Sequence, residues 1–237
     1  MRKLCLVLLL AVRVAADDAS PPRQALLRHR YYALRHGQSL ANVAGVISSD
    51  PEVATVHHGL SDAGWEQARA AARAVCDEAR TRGLDGVAIV SSDFKRAWQT
   101  AEAVRAGCLA SGVRVWPVAD VDPELSLRER SFGELTGGPD DRYDDVWVED
   151  ARSATHECYD VECLDSVRVR ACGVVERLEA CAELEGTWMV VLVAHGDVLQ
   201  ILQTAFASVD VRTHRSLEHL QTATLRRLGL HIELPPR

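Results

Sequence analysis

Along most of the chain, short apolar runs alternate with longer segments in which apolar positions recur every three or four residues. The runs "YYALR" (31–35), "GVAIVSS" (86–92), "VRVWPV" (113–118), "TWMVVLVAHG" (187–196) and "TATLRRLGL" (222–230) read as strands, being too short for helices and rich in β-branched residues. "LSDAGWEQARAAARAVCDEARTRG" (60–83) reads as a helix with Ser61 as its N-cap and Gly83 as its stop. "DFKRAWQTAEAVRAGCLASG" (93–112) follows as a helix opened by Ser92 and closed by Gly112. "LDSVRVRACGVVERLEACAELEG" (164–186) and "DVLQILQTAFAS" (197–208) supply two more helices. Strands alternating with helices predict an α/β fold, a three-layer α/β/α sandwich with a mostly parallel central sheet.

Two segments break this rhythm. Residues 17–30, which contain Pro21 and Pro22, read as a linker leading into the first strand. Residues 132–160, "FGELTGGPDDRYDDVWVEDARSATHECYD", combine glycines, a proline and dense acids, and predict an inserted loop or lid. Residues 31–237 then form one domain, since 237 residues in all leave little room for two.

Composition narrows the function classes. With 47% hydrophobic and 26% charged residues the chain is an ordinary globular one, and a net charge of −7 offers no footprint for nucleic acid. At the start, Arg2 and Lys3 precede nine apolar residues, Leu4 to Val12, and the small residues Ala15 and Ala16. That layout predicts a signal peptide over 1–16 with cleavage before Asp17, hence a secretory route rather than the cytoplasm; the run is too short for a membrane span. Loss of Cys5 would leave six cysteines, 76, 108, 158, 163, 172 and 181, whose spacings fit no zinc pattern. Cys158 and Cys163, in a polar loop, are the expected disulfide partners. His57 and His58 are adjacent and point apart, which disfavours a metal role, and His29 reads as a linker residue.

In a parallel sheet the active site lies at the carboxyl ends of the strands, so the residues there carry the functional signal. The first strand ends in Arg35-His36-Gly37 and the fourth in His195-Gly196, while the second runs into Ser91-Ser92-Asp93 with Arg96 one turn on. A lone Arg-His-Gly arises by chance in roughly one such chain in twenty, but a second His-Gly at another strand end is much harder to obtain by accident. Neighbouring strands would place His36 and His195 across one crevice, with Arg35 and Arg96 as two permanent cations. That set suits phosphoryl transfer. Arginine forks match the nonbridging oxygens, a neutral imidazole serves as nucleophile, and Gly37 and Gly196 let the backbone approach the ligand. Asn42 adds an amide donor. A leaving alkoxide needs a proton, and Glu129, between the third strand and the lid, is the carboxylic acid best placed to give it.

The ordered motifs "LRHGQSLAN", "LSDAGWEQA", "SSDFKRAWQTA", "LRERSFGELTG" and "VAHGD" resemble the histidine phosphatase superfamily, with its phosphoglycerate-mutase-like fold, from about Tyr31 to Leu228. The resemblance implies that His36 is phosphorylated, that Glu129 is the proton donor, and that Arg35, Asn42, Arg96, His195 and Gly196 line the phosphate pocket. It implies a metal-independent phosphomonoesterase that needs no cofactor and acts on a small phosphorylated metabolite. The alternatives are a phosphoglycerate-type mutase and an inactive binding protein of the same fold. Gln38 stands where glutamate is common, which predicts a less acidic pocket. Glu162-Cys163 replaces a frequent Glu-Ser, which puts a lid-supporting contact in question. Between Asp140 and Glu162 nine acids face two arginines, Arg142 and Arg152. A lid so acidic would repel the second phosphate that a mutase must hold, which favours hydrolysis.

Overall fold

The computed structural model describes residues 23–117, 119, 121 and 123–235; the predicted leader over 1–16 lies outside them. In chain order the elements are β1 (Arg23–Leu26), β2 (Arg30–Arg35), α1 (Leu40–Ala44), α2 (Pro51–Ala54), α3 (Asp62–Thr81), β3 (Val87–Ser91), α4 (Lys95–Ala110), β4 (Val115–Trp116), α5 (Tyr143–Asp150), α6 (Leu164–Glu179), β5 (Met189–Ala194), α7 (Gly196–Ala207), β6 (Leu225–Arg227) and β7 (His231–Leu234). Five strands form a sheet in the order β4-β3-β5-β2-β6, parallel except for β6.

The strands are apolar without a break because both faces of the sheet are covered. Met189, Val191 and Val193 of β5 pack with Tyr32, Leu34 and Ile89 against the alanine-rich faces of α3 and α4. Val190, Leu192 and Ala194 point the other way, with Tyr31, Ala33 and Val90, against α6 and α7. Each fully buried valine or leucine contributes about 1.5–3 kcal/mol, so β5, buried at every residue, is the axis of the core. No helix among the described residues is long and apolar enough to cross a membrane.

Ser61 caps α3 as expected, its Oγ accepting the Gly64 N–H at 3.1 Å, and Gly83 stops it with a left-handed φ of 58°. Ser92 does not cap α4. Phe94 occupies that position with no side-chain bond, and the Ser92 hydroxyl is drawn into the site instead. The third expected strand shrinks to β4, two residues long. The expected linker carries β1, which pairs antiparallel with β7 from Arg23↔Leu234 to Leu26↔His231. A four-residue strand turns so few side chains inward that its alternation is invisible in sequence. His29 is no linker residue either; it is fully buried, and its Nδ1 accepts the Trp188 N–H at 3.2 Å.

The lid segment holds a helix, α5. Its Val146 joins Ile47, Phe132, Leu135 and Val161 in a small core of its own, so the insertion is packed rather than loose. The six described cysteines are all free. The expected Cys158–Cys163 pair is not made: Cys163 opens α6 with its sulfur 3.3 Å from the Ser166 hydroxyl, and Cys158 lies exposed beyond a left-handed turn at Tyr159 and Asp160.

Candidate active site

β2 and β5 are hydrogen-bonded neighbours, with Arg35 opposite Ala194, and the His36 N–H continues the ladder to the Ala194 carbonyl at 3.0 Å. The two His-Gly strand ends are therefore side by side, and the rings of His36 and His195 lie 5.2 Å apart between centroids. His36 Nδ1 is 2.7 Å from the Gly37 carbonyl oxygen. A carbonyl only accepts, so the proton sits on Nδ1 and Nε2 keeps its lone pair. Arg96 donates its Nε–H to that Nε2 at 3.1 Å. Burial, then the charges of Arg96 and Arg35, push the His36 pKa well below the usual histidine range, so the imidazole is a neutral base near pH 7.

Arg96 is held from behind by Ser48, whose hydroxyl and carbonyl accept from its terminal nitrogens at 3.2 and 2.9 Å. Its burial lowers the guanidinium pKa to about 10, which still leaves it cationic. Arg35 donates to the Leu220 carbonyl at 3.1 Å, while its Nε is buried without a partner. His195 is fully buried beside His36 and does not itself line the cavity. The Ser92 hydroxyl takes the Phe94 N–H at 3.2 Å and lies 2.9 Å from His195 Nε2. With the serine proton turned to Nε2, the imidazole proton is on Nδ1, which is also buried without a partner. Two orphaned donors around a neutral histidine call for an acceptor-rich anion, because an unmet buried donor costs about 1–3 kcal/mol.

A cavity of about 200 Å³ opens onto His36, Arg35, Arg96, Glu129 and Gly196, with Asn42 on its wall. Asn42 Oδ1 is taken up by the Ser39 N–H and hydroxyl at 3.0 and 2.9 Å, so the amide NH₂ is the end that donates outward. Glu129 accepts the Arg130 N–H at 3.0 Å. Burial and the negative charge of Asp197 raise its pKa to about 7 against the pull of Arg96, the Arg130 amide and Arg35. The expected residues thus converge, with His195 as a buried neighbour rather than a wall.

Three expectations change. Gly37 serves backbone packing rather than ligand approach: a Cβ there would lie 2.5 Å from the Gly64 carbonyl oxygen, and one on Gly64 would lie 2.0 Å from the Gln38 oxygen. Gln38 does not line the cavity but accepts from the Ser61 hydroxyl at 2.8 Å, so it ties the histidine loop to the start of α3 and has no effect on pocket acidity. Glu162 keeps a supporting role despite Cys163, since Arg170 grips both its oxygens at 2.8 and 2.9 Å and its carbonyl accepts from Arg130 at 2.6 Å.

The lid acids also face elsewhere. Of the nine, only Asp140 lines the cavity. Asp150 is bound by Arg130, Glu162 by Arg170 and Glu149 by Arg152, while Asp141, Asp144, Asp145, Glu157 and Asp160 are exposed. Repulsion of a second phosphate by the lid is therefore reduced to the single carboxylate of Asp140.

Sequence reasoning missed the residues that connect the parts. Arg130, fully buried, bonds Asp150 at 2.7 and 2.8 Å and Asp197 at 3.3 Å, joining the Glu129 loop, α5 and α7. Asp150, Asp197 and His214 converge closely enough to suggest a metal, but the Arg130 cation already compensates the two carboxylates. On the cavity wall Trp147 stacks on Tyr143, and the Arg215 guanidinium lies 3.6 Å over the Trp147 ring. Arg35, His219, Gln200 and Arg215 form a chain of hydrogen bonds of 3.1, 3.2 and 2.8 Å. Only adjacency offered a signal, Arg130 following Glu129 and Asp197 following His195-Gly196.

A neutral histidine between arginines at the ends of adjoining parallel strands, facing a carboxyl group with a raised pKa, defines an enzyme-like site for a phosphoryl group on an α/β sandwich. The family model of the histidine phosphatase superfamily (branch 1) matches residues 31–233, and the chain belongs to that superfamily. Among solved structures, "Mycobacterial hydrolase 1" superposes with a TM-score of 0.63 at 27% identity over 83% of this chain and 87% of that one. A mycobacterial glucosyl-3-phosphoglycerate phosphatase in complex with VO3 gives 0.63 at 27% identity, covering 83% and 89%. An Escherichia coli putative alpha-ribazole-5'-P phosphatase shares the fold at 20% identity, with a TM-score of 0.57 over 83% and 88%. Comparison with curated proteins returns no match.

Proposed function

We propose that the protein hydrolyses phosphomonoesters of small metabolites without a metal ion, through a phosphohistidine at His36. The observation that carries this reading is the unprotonated Nε2 of His36, held between Arg96 and Arg35 in the cavity that also contains Glu129. In the first step Nε2 attacks phosphorus in line with the ester oxygen. Arg35 and Arg96 neutralise the nonbridging oxygens, a small turn of neutral His195 toward the cavity lets its unpartnered Nδ1–H donate to one of them, and Glu129 gives its proton to the departing alkoxide. In the second step a water attacks the phosphohistidine, Glu129 takes its proton back, and inorganic phosphate leaves.

Hydrolysis rather than transfer is supported by the solved relatives named as phosphatases at 25–27% identity, and not by the lid acids, of which Asp140 alone lines the cavity. The leader over 1–16, with release into the secretory route, belongs to the same proposal.

Turnover of a panel of phosphomonoesters in the presence of a chelator tests the reading. Phosphate release by the wild type and none by His36→Ala is expected. Transfer of phosphate between substrate hydroxyls faster than release would overturn it in favour of a mutase, and absence of any turnover in favour of a binding protein.

A further inference from the structure

Cys76 of α3 and Cys108 of α4 meet across the interface of the two helices, 3% and 0% exposed, with their sulfurs 3.2 Å apart. The helices run side by side in the same direction and pack very closely: a Cβ on Gly107 would lie only 2.7 Å from that of Ala72. This approach is what lets two short side chains touch. The sulfurs need to close by only about 1 Å to reach bonding distance.

We propose that Cys76 and Cys108 are a disulfide site that cross-links α3 to α4 whenever the protein folds in the presence of a disulfide oxidant. With oxidised glutathione as the oxidant, the chemistry balances in two exchanges. Cys76 borders a surface groove lined by Trp65, Arg69 and Ala103, so its thiolate attacks glutathione disulfide first, forming a mixed disulfide and releasing one glutathione thiol. The Cys108 thiolate then displaces the second glutathione. One S–S bond is broken and one formed, and the two cysteine protons end on two glutathione thiols. Burial in the closed interface raises the Cys108 thiol pKa, so this second exchange is fast while the helix interface is still forming and slow once it has closed.

The bond would close a long loop between positions 76 and 108 and restrict the unfolded chain. It would do so away from the chemistry. Cys76 lies 14 residues into α3 from Asp62, and Cys108 lies 13 into α4 from Lys95, counting from the ends that hold the His36 loop and Arg96. At 1.5 Å per residue the cross-link is about 20 Å along the helices from the site, so it should change stability and leave turnover alone.

The test is oxidation of the full chain by a glutathione redox buffer, once on the native protein and once during refolding from urea, followed by alkylation of remaining thiols and tryptic mapping without reductant. The expected product of refolding is the pair of peptides 74–80 and 106–114 joined to each other, with a melting temperature roughly 5–12 °C above the reduced form. Its kcat/KM should equal that of the reduced protein, and Cys76→Ser with Cys108→Ser should abolish both the joined peptide and the shift. Recovery of both peptides alkylated after refolding, or either one joined to a different cysteine, would overturn the proposal.

Discussion

Arg96 reaches the Nε2 lone pair of His36 across 3.1 Å, while Ser48 holds the rest of its guanidinium. In the proposed mechanism one cation thus does two things: it holds the phosphoryl oxygens, and its charge keeps the histidine from protonating. Arg96→Met is expected to lower kcat by about 10²–10³ through lost oxygen stabilisation. Removing a charge that depresses the His36 pKa lets that pKa rise. Since attack requires the free base, the acid limb of the pH–rate profile should move to higher pH. An unchanged acid limb in the variant would contradict the assignment.

Glu129 makes the opposite demand. As the proposed acid it must be protonated to give its proton away, and its pKa is raised to about 7, so kcat/KM for alkyl phosphates should fall as pH rises through that value. Glu129→Gln should slow alkyl phosphates by about 10²–10⁴ and a phenolic ester far less, because a phenolate leaves without help. Asp197 raises the Glu129 pKa, so Asp197→Asn should shift the basic limb to lower pH. Equal losses for both ester types would remove Glu129 as the acid.

The ion pair of Arg130 with Asp150, both side chains fully buried, predicts a stability effect apart from chemistry. Arg130→Met strands the buried carboxylate of Asp150, deprives Asp197 of a partner as well, and should cost about 3–5 kcal/mol in urea unfolding. The double change Arg130→Met with Asp150→Leu removes the more deeply buried carboxylate, leaves Asp197 to Trp147 and Arg215, and should recover part of that loss. A double variant no more stable than the single one would show that the stranded Asp150 carboxylate is not the source of the loss.

How much of this was legible in sequence depended on how many residues repeated a pattern. β5 is buried on both faces and reads as an unbroken apolar run, and α3 announces itself through Ser61 and its alanine stripe. The doubled His-Gly marked the site because both copies stand at neighbouring strand ends. β1 and β7, four residues each, were too short to carry a period. Arg130, Arg215 and Ser92 have no local signature, since what defines each is a partner far along the chain. The lid acids could be counted but not aimed. Charge number is a property of sequence, whereas direction comes from Val146 and Asp150 fixing which side of α5 faces inward.

The mutual fit of Gly37 and Gly64 gives a further prediction. Gly64→Ala would place a methyl 2.0 Å from the Gln38 carbonyl oxygen, a backbone atom that cannot step aside without shifting the His36 loop. A loss of about 1–3 kcal/mol in stability is expected, together with a fall in kcat. Full activity and unchanged stability would show that the loop does not depend on this contact.

The central claim is that His36 Nε2 carries the phosphoryl group between the two steps. Rapid acid-free quenching of the enzyme during turnover of a radiolabelled phosphomonoester, followed by peptide mapping, tests it most directly. The expected result is label on the peptide containing His36, stable in base and lost in acid, and absent from His36→Ala. Steady phosphate release by an enzyme that never acquires label at His36 would contradict it.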